Sequence, residues 1–96
     1  MQTQAENMNI TARQCKAARA LLGWSQTKLA EAANVHFRTV HDFENGVRKP
    51  ISSTMTVLRR AMEDAGVIFI PVNGGGQGVR LREPEAEQSS NDASPD

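Results

Sequence analysis

Residues that end helices punctuate the first two thirds of this chain. Gly23, Asn34, Asn45-Gly46, Pro50 and Gly66 separate stretches whose apolar residues recur at helical spacing. Gly and Asn accept the left-handed conformation that closes a helix, and Pro cannot continue one. The segments between them are therefore expected to be short helices.

The first helix is expected to start at Thr11, where Thr11-Ala12-Arg13-Gln14 fits a capping box: the Thr11 hydroxyl takes the Gln14 amide while Gln14 reaches back. Ala17, Ala18, Leu21 and Leu22 form its apolar stripe, and Gly23 closes it. Ser25 is a good cap for a second helix. Trp24 and Leu29 occupy the staple positions, Leu29, Ala30 and Ala33 face inward, and the helix stops near Asn34. Val35 anchors a third helix at about 37–44, with Val40 and Phe43 inward. Phe37, Arg38, His41 and Asp42 then share its opposite, exposed face. After Pro50, Ser52 or Ser53 is expected to cap a fourth helix at about 54–65, with Met55, Leu58, Ala61, Met62 and Ala65 as its stripe.

The pattern changes after Gly66. Val67-Ile68-Phe69-Ile70 is β-branched and aromatic, residues 73–78 are turn-forming, and Val79-Arg80-Leu81-Arg82 alternates apolar and basic. These predict a β-hairpin. The expected fold is mainly α: four helices containing a helix-turn-helix, then a C-terminal β-hairpin. The expected organisation is a loose leader (1–9), a helical domain (10–66), the hairpin (67–82) and a polar, acidic, disordered tail (83–96).

A domain of 96 residues buries only about 60% of its unfolded surface, so its core is marginal. With Trp24, Phe37, Phe43 and Phe69 as the only aromatics, aliphatic residues and Met must fill that core. The lone cysteine, Cys15, excludes an internal disulfide and any Cys-rich zinc site, and it fits a reducing compartment. It reads as a small apolar helix residue. The polar leader carries no signal peptide, and no apolar run spans a bilayer, so a cytoplasmic protein without membrane attachment is expected. His36 and His41, five apart and with no further ligand set, are poorly spaced for one metal ion. The Gly-rich loop lacks the Lys-Ser/Thr pair and following helix of a phosphate cradle. No nucleophile–base pair or carboxylate pair is visible. Neither catalysis nor a cofactor is expected.

The formal charge of zero conceals an asymmetry. Residues 10–82 hold all eleven Lys and Arg against Glu31, Asp42, Glu44, Glu63 and Asp64, a net +6. Residues 83–96 hold Glu83, Glu85, Glu87, Asp92 and Asp96 and no base, a net −5. A basic body points to a polyanionic partner.

Residues 25–46, SQTKLAEAANVHFRTVHDFENG, read as two short helices joined by a tight turn, the second presenting a polar face. Through Ser25-Gln26, Leu29-Ala30, Val35, Thr39-Val40, Phe43-Glu44 and Gly46, this stretch resembles the Cro-like, phage-repressor (Xre) helix-turn-helix family of bacterial and phage transcription regulators. The likeness covers residues 10–65. It implies sequence-specific binding of duplex DNA by a homodimer, with the helix at 37–44 in the major groove. It implies base reading by Phe37, Arg38, His41 and Asp42, and backbone contact by Gln26, Thr27, His36, Asn45, Arg48 and Lys49. It also implies residence in a bacterial cytoplasm, at the nucleoid. His36 departs from the Ser or Thr usual at that cap. Phe37 suits either a thymine methyl or a protein partner; Asp42 suits either a cytosine amino group or the orientation of Arg38. The alternative class is an antitoxin-like or anti-activator module that binds a protein. Segment 67–82 is the expected dimer contact, because an apolar two-stranded hairpin needs its edge covered.

Overall fold

The computed structural model describes residues 9–72 and 74–84. The expectations for the leader and for most of the acidic tail fall on residues 1–8 and 85–96, outside the described residues. Four helices precede an antiparallel hairpin: α1 (Ala12–Leu22), α2 (Gln26–Ala33), α3 (Phe37–Glu44), α4 (Ser52–Asp64), β1 (Val67–Ile70) and β2 (Gly78–Leu81).

The caps follow local chemistry. The capping box at Thr11 forms in full, with Gln14 N–H on Thr11 Oγ1 at 3.0 Å and Thr11 N–H on Gln14 Oε1 at 2.9 Å. Ser25 Oγ accepts from the Lys28 amide at 2.9 Å. Asn34 adopts the left-handed conformation (φ 59°) that turns the chain between α2 and α3. After α3 the left-handed residue is Gly46 (φ 73°), while Asn45 stays at φ −93°.

Two helix readings need correction. The fourth helix begins at Ser52 and not at about 54, and neither serine caps it. Ile51 occupies the cap position without a side-chain hydrogen bond. The chain leaves Pro50 extended, and the Ile51 carbonyl already accepts from Met55 N–H at 2.9 Å, so the ladder starts before either serine could cap it. Ala65 lies beyond the end of the helix and is exposed. In α1 the buried stripe is Gln14, Cys15 and Ala18, with Leu22 packed beside it; Ala17 is exposed and Leu21 only half-buried. Each residue advances about 100° around a helix, so α1 docks rotated from the stripe drawn through its alanines and leucines.

One interior unites helices and hairpin. Leu29, Val40, Phe43, Met55, Leu58 and Met62 share it with Val67 and Phe69 from β1. The hairpin register pairs Val67 with Leu81, Ile68 with Arg80, Phe69 with Val79 and Ile70 with Gly78. β2 starts at Gly78, one residue before the expected Val79. Buried Gln14 accounts for this: its Nε2 donates to Ile70 O at 3.2 Å and to Gly78 O at 2.9 Å, drawing Gly78 into the sheet. Its Oε1 is taken by Thr11, so the buried amide is satisfied at both ends. At the far end of the hairpin, Arg82 N–H donates to Gly66 O at 2.7 Å.

Candidate nucleic-acid interface

Placement of α3 starts from its inner face. Val40 is fully buried and Phe43 nearly so, which turns Phe37, Arg38, His41 and Asp42 away from the core. Phe37 is 43% exposed, Arg38 is exposed, and His41 and Asp42 are half-buried. The Phe37 and His41 rings lie 5.9 Å apart, tilted by 36°. Asn45 Nδ2 lies 3.0 Å from His41 Nε2, and Asp42 Oδ1 is 3.4 Å from His41 Nδ1. Arg38 has no ion pair with Asp42 among the described residues; the side-chain partner of Asp42 is His41. Of the two roles open to Asp42, orienting Arg38 therefore lacks the contact it requires.

His36 does cap α3. Its Nδ1 accepts from the Arg38 amide at 3.0 Å, an imidazole filling the place a hydroxyl usually takes. The Asp42 carbonyl accepts from Val47 N–H at 2.8 Å and Arg48 N–H at 3.3 Å. These bonds fold the 45–49 loop back along α3. Arg38, Thr39, Asp42, Arg48, Lys49, Pro50, Ile51 and Thr54 then line an open cleft of about 530 Å³. The start of α4 forms part of its wall. That end of the helix carries partial positive charge and has no side-chain cap.

The sequence reading gave no role to Glu44, the last residue of α3. Its side chain is 1% exposed. Arg19 of α1 grips it with two prongs, Nε to Oε2 at 2.8 Å and Nη2 to Oε1 at 2.6 Å. Gln26 Nε2 of α2 donates to Oε1 at 3.0 Å, and Cys15 Sγ donates to Oε2 at 3.0 Å. A third guanidinium nitrogen, Arg19 Nη1, donates to Trp24 O at 2.9 Å, fixing the α1–α2 corner. Burial alone would raise the Glu44 carboxyl; the hydrogen bonds from Arg19, Gln26 and Cys15 outweigh it and hold the group below its ordinary pKa. The bond to Glu44 raises Arg19. Burial, reinforced by the Glu44 hydrogen bond, pushes the Cys15 thiol far above its usual range. The network locks the end of α3 to both preceding helices. It also engages the side-chain nitrogen of Gln26, leaving that residue's oxygen and backbone amide for any outside contact. Thr27, next along α2, is exposed.

A family model described as helix-turn-helix matches residues 16–61. This segment belongs to the Cro/C1-type helix-turn-helix family. The helix-turn-helix pair is α2 and α3, joined through Asn34, and the match runs from within α1 to within α4. The family is one of DNA-binding domains found in transcription regulators. No curated protein matches the chain. No helix among the described residues is long and apolar enough to cross a membrane.

Proposed function

We propose that the protein is a sequence-specific transcription regulator that inserts α3 into the major groove of duplex DNA. The observation that carries this reading is the union of two features on one side of the molecule. The outward face of α3 presents Phe37, Arg38, His41 and Asp42, and the adjoining cleft gathers Arg38, Arg48 and Lys49 beside the uncapped start of α4. Cations and free helix amides suit phosphate, which positions a protein; an exposed polar helix face suits base edges, which specify sequence. Arg38 is suited to guanine, Phe37 to a thymine methyl and Asp42 to a cytosine amino group. Gln26, Thr27, His36, Asn45, Arg48 and Lys49 flank this face and serve the backbone.

The working form is a homodimer joined through the hairpin, whose exposed Ile70 and Val72 border an outer strand edge. Two-fold symmetry would set two copies of α3 about 34–36 Å apart, one turn of DNA. Exposed Phe37 is the observation that favours the alternative of a protein partner. Selection of bound sites from random duplex DNA tests the main reading. A two-fold repeated motif is the expected result; recovered sequences with no common motif would remove sequence reading and leave the protein-binding alternative.

A further inference from the structure

We infer that the acidic tail, residues 85–96, docks into the basic cleft beside α3 and competes there with DNA. The inference rests on the DNA reading of that cleft.

Three observations meet. The cleft holds Arg38, Arg48 and Lys49 against one acid, Asp42, and among the described residues none of the three cations makes an ion pair. Ile51 and Thr54 bring the uncapped start of α4 into the same wall, adding amide donors to the side-chain charge. Glu85, Glu87, Asp92 and Asp96, with no Lys or Arg among them, supply the complementary charge.

Geometry makes the contact intramolecular. Arg82 is held at the end of α4 by its amide on Gly66 O at 2.7 Å and by Nη1 on Glu63 O at 3.4 Å. The tail therefore departs from one end of α4 while the cleft lies at the other. Thirteen helical residues span about 20 Å. The twelve residues after Pro84 reach about 40 Å when extended. Glu85 is too near the anchor to arrive, whereas Asp92 and Asp96 have chain to spare. Tethering holds them at high effective concentration, and exchange with a phosphate backbone requires no refolding. A strong specific site would displace the tail, but weak nonspecific DNA would not. The tail therefore acts as a discriminator.

The test compares the 96-residue chain with a variant of the same chain carrying Glu85→Gln, Glu87→Gln, Asp92→Asn and Asp96→Asn. Without DNA and at low salt, the backbone amide resonances of Arg38, Arg48, Lys49, Ile51 and Thr54 should differ between the two. The difference should vanish when Arg48→Gln and Lys49→Gln are added to both. The neutralised variant should bind random-sequence duplex roughly tenfold more tightly at low salt, the gap closing as salt rises. Identical resonances at those five positions overturn the docking, leaving a tail that only aids solubility. Resonances that differ while DNA affinity stays equal keep the docking but remove DNA from the cleft, which overturns the competition and the placement of DNA rather than the contact itself.

Discussion

Arg19 and Glu44, 25 residues apart in sequence, meet through two parallel hydrogen bonds of 2.8 and 2.6 Å that tie the last turn of α1 to the last residue of α3. A carboxylate at a helix C-terminus opposes the helix dipole. Its position here depends on the guanidinium that neutralises it. The end of the proposed recognition helix is thus held from α1, away from the face proposed to meet DNA.

The two halves of that pair are unequal. Glu44 is 1% exposed at its side chain and Arg19 is 19% exposed. Arg19→Ala strands a buried carboxylate and should cost about 3–5 kcal/mol in stability. Glu44→Ala leaves a cation that water can reach, and should cost less. Urea unfolding of both variants checks the order. A larger loss for Glu44→Ala would show that Arg19 is not the main support of the buried charge.

The same carboxylate sets an acid limit. Its folded pKa is lowered, so it binds a proton less readily in the folded chain than in the unfolded one. Its contribution is complete above the ordinary Glu value of about 4.3 and is lost as pH falls through the lower folded value. Cys15 acts in the opposite direction. Its thiol is raised, so above about pH 8.5 only the unfolded chain releases that proton, and stability falls as pH rises. Unfolding midpoints measured from pH 2 to pH 10 should decline at both ends. Glu44→Gln should flatten the acid limb and Cys15→Ala the alkaline one; limbs that keep their slopes would assign them to other groups.

Arg38 and Lys49 share the cleft and should behave differently on DNA. Arg38→Ala should cost about 1–3 kcal/mol on the selected site and relax preference at one base pair. Lys49→Ala should weaken every sequence alike and reduce the salt slope by about one unit. Binding titrations on matched and single-substituted sites at several salt concentrations separate these. A uniform loss for Arg38→Ala would make it a backbone contact.

Ile70 is 37% exposed and Val72 69% exposed at the outer end of β1. If the hairpin joins two copies, Ile70→Glu with Val72→Glu should give a folded monomer whose binding to a two-fold site is weakened. Light scattering and circular dichroism report mass and fold together. A folded dimer would put the interface elsewhere.

Where local rules decide the structure, the sequence was legible. Thr11 with Gln14, Ser25, Gly23 and Asn34 each act within a few residues of themselves, and their short-range chemistry placed the first three helices. The start of α4 was misread because two serines resemble a cap, whereas the extended chain after Pro50 places Ile51 in that position. The outward residues of α3 followed from periodicity once Val40 and Phe43 were turned inward. Contacts between distant positions left no local trace. Nothing near Gln14 indicates that it bonds Ile70 and Gly78, 56 and 64 residues away, and nothing near Glu44 points to Arg19. The rotation of α1 depends on those same partners.

The sharing of one interior by helices and hairpin bears on how the proposed recognition helix could be moved. A graft of residues 16–61 into another regulator would carry α3 but omit Ile10, Gln14, Cys15, Met62, Val67 and Phe69, and so arrive with its underside open. The transplantable cassette is longer than the family boundary and runs from Ile10 to Arg82. For a designer borrowing the proposed reading head, β1 and β2 are part of the chassis.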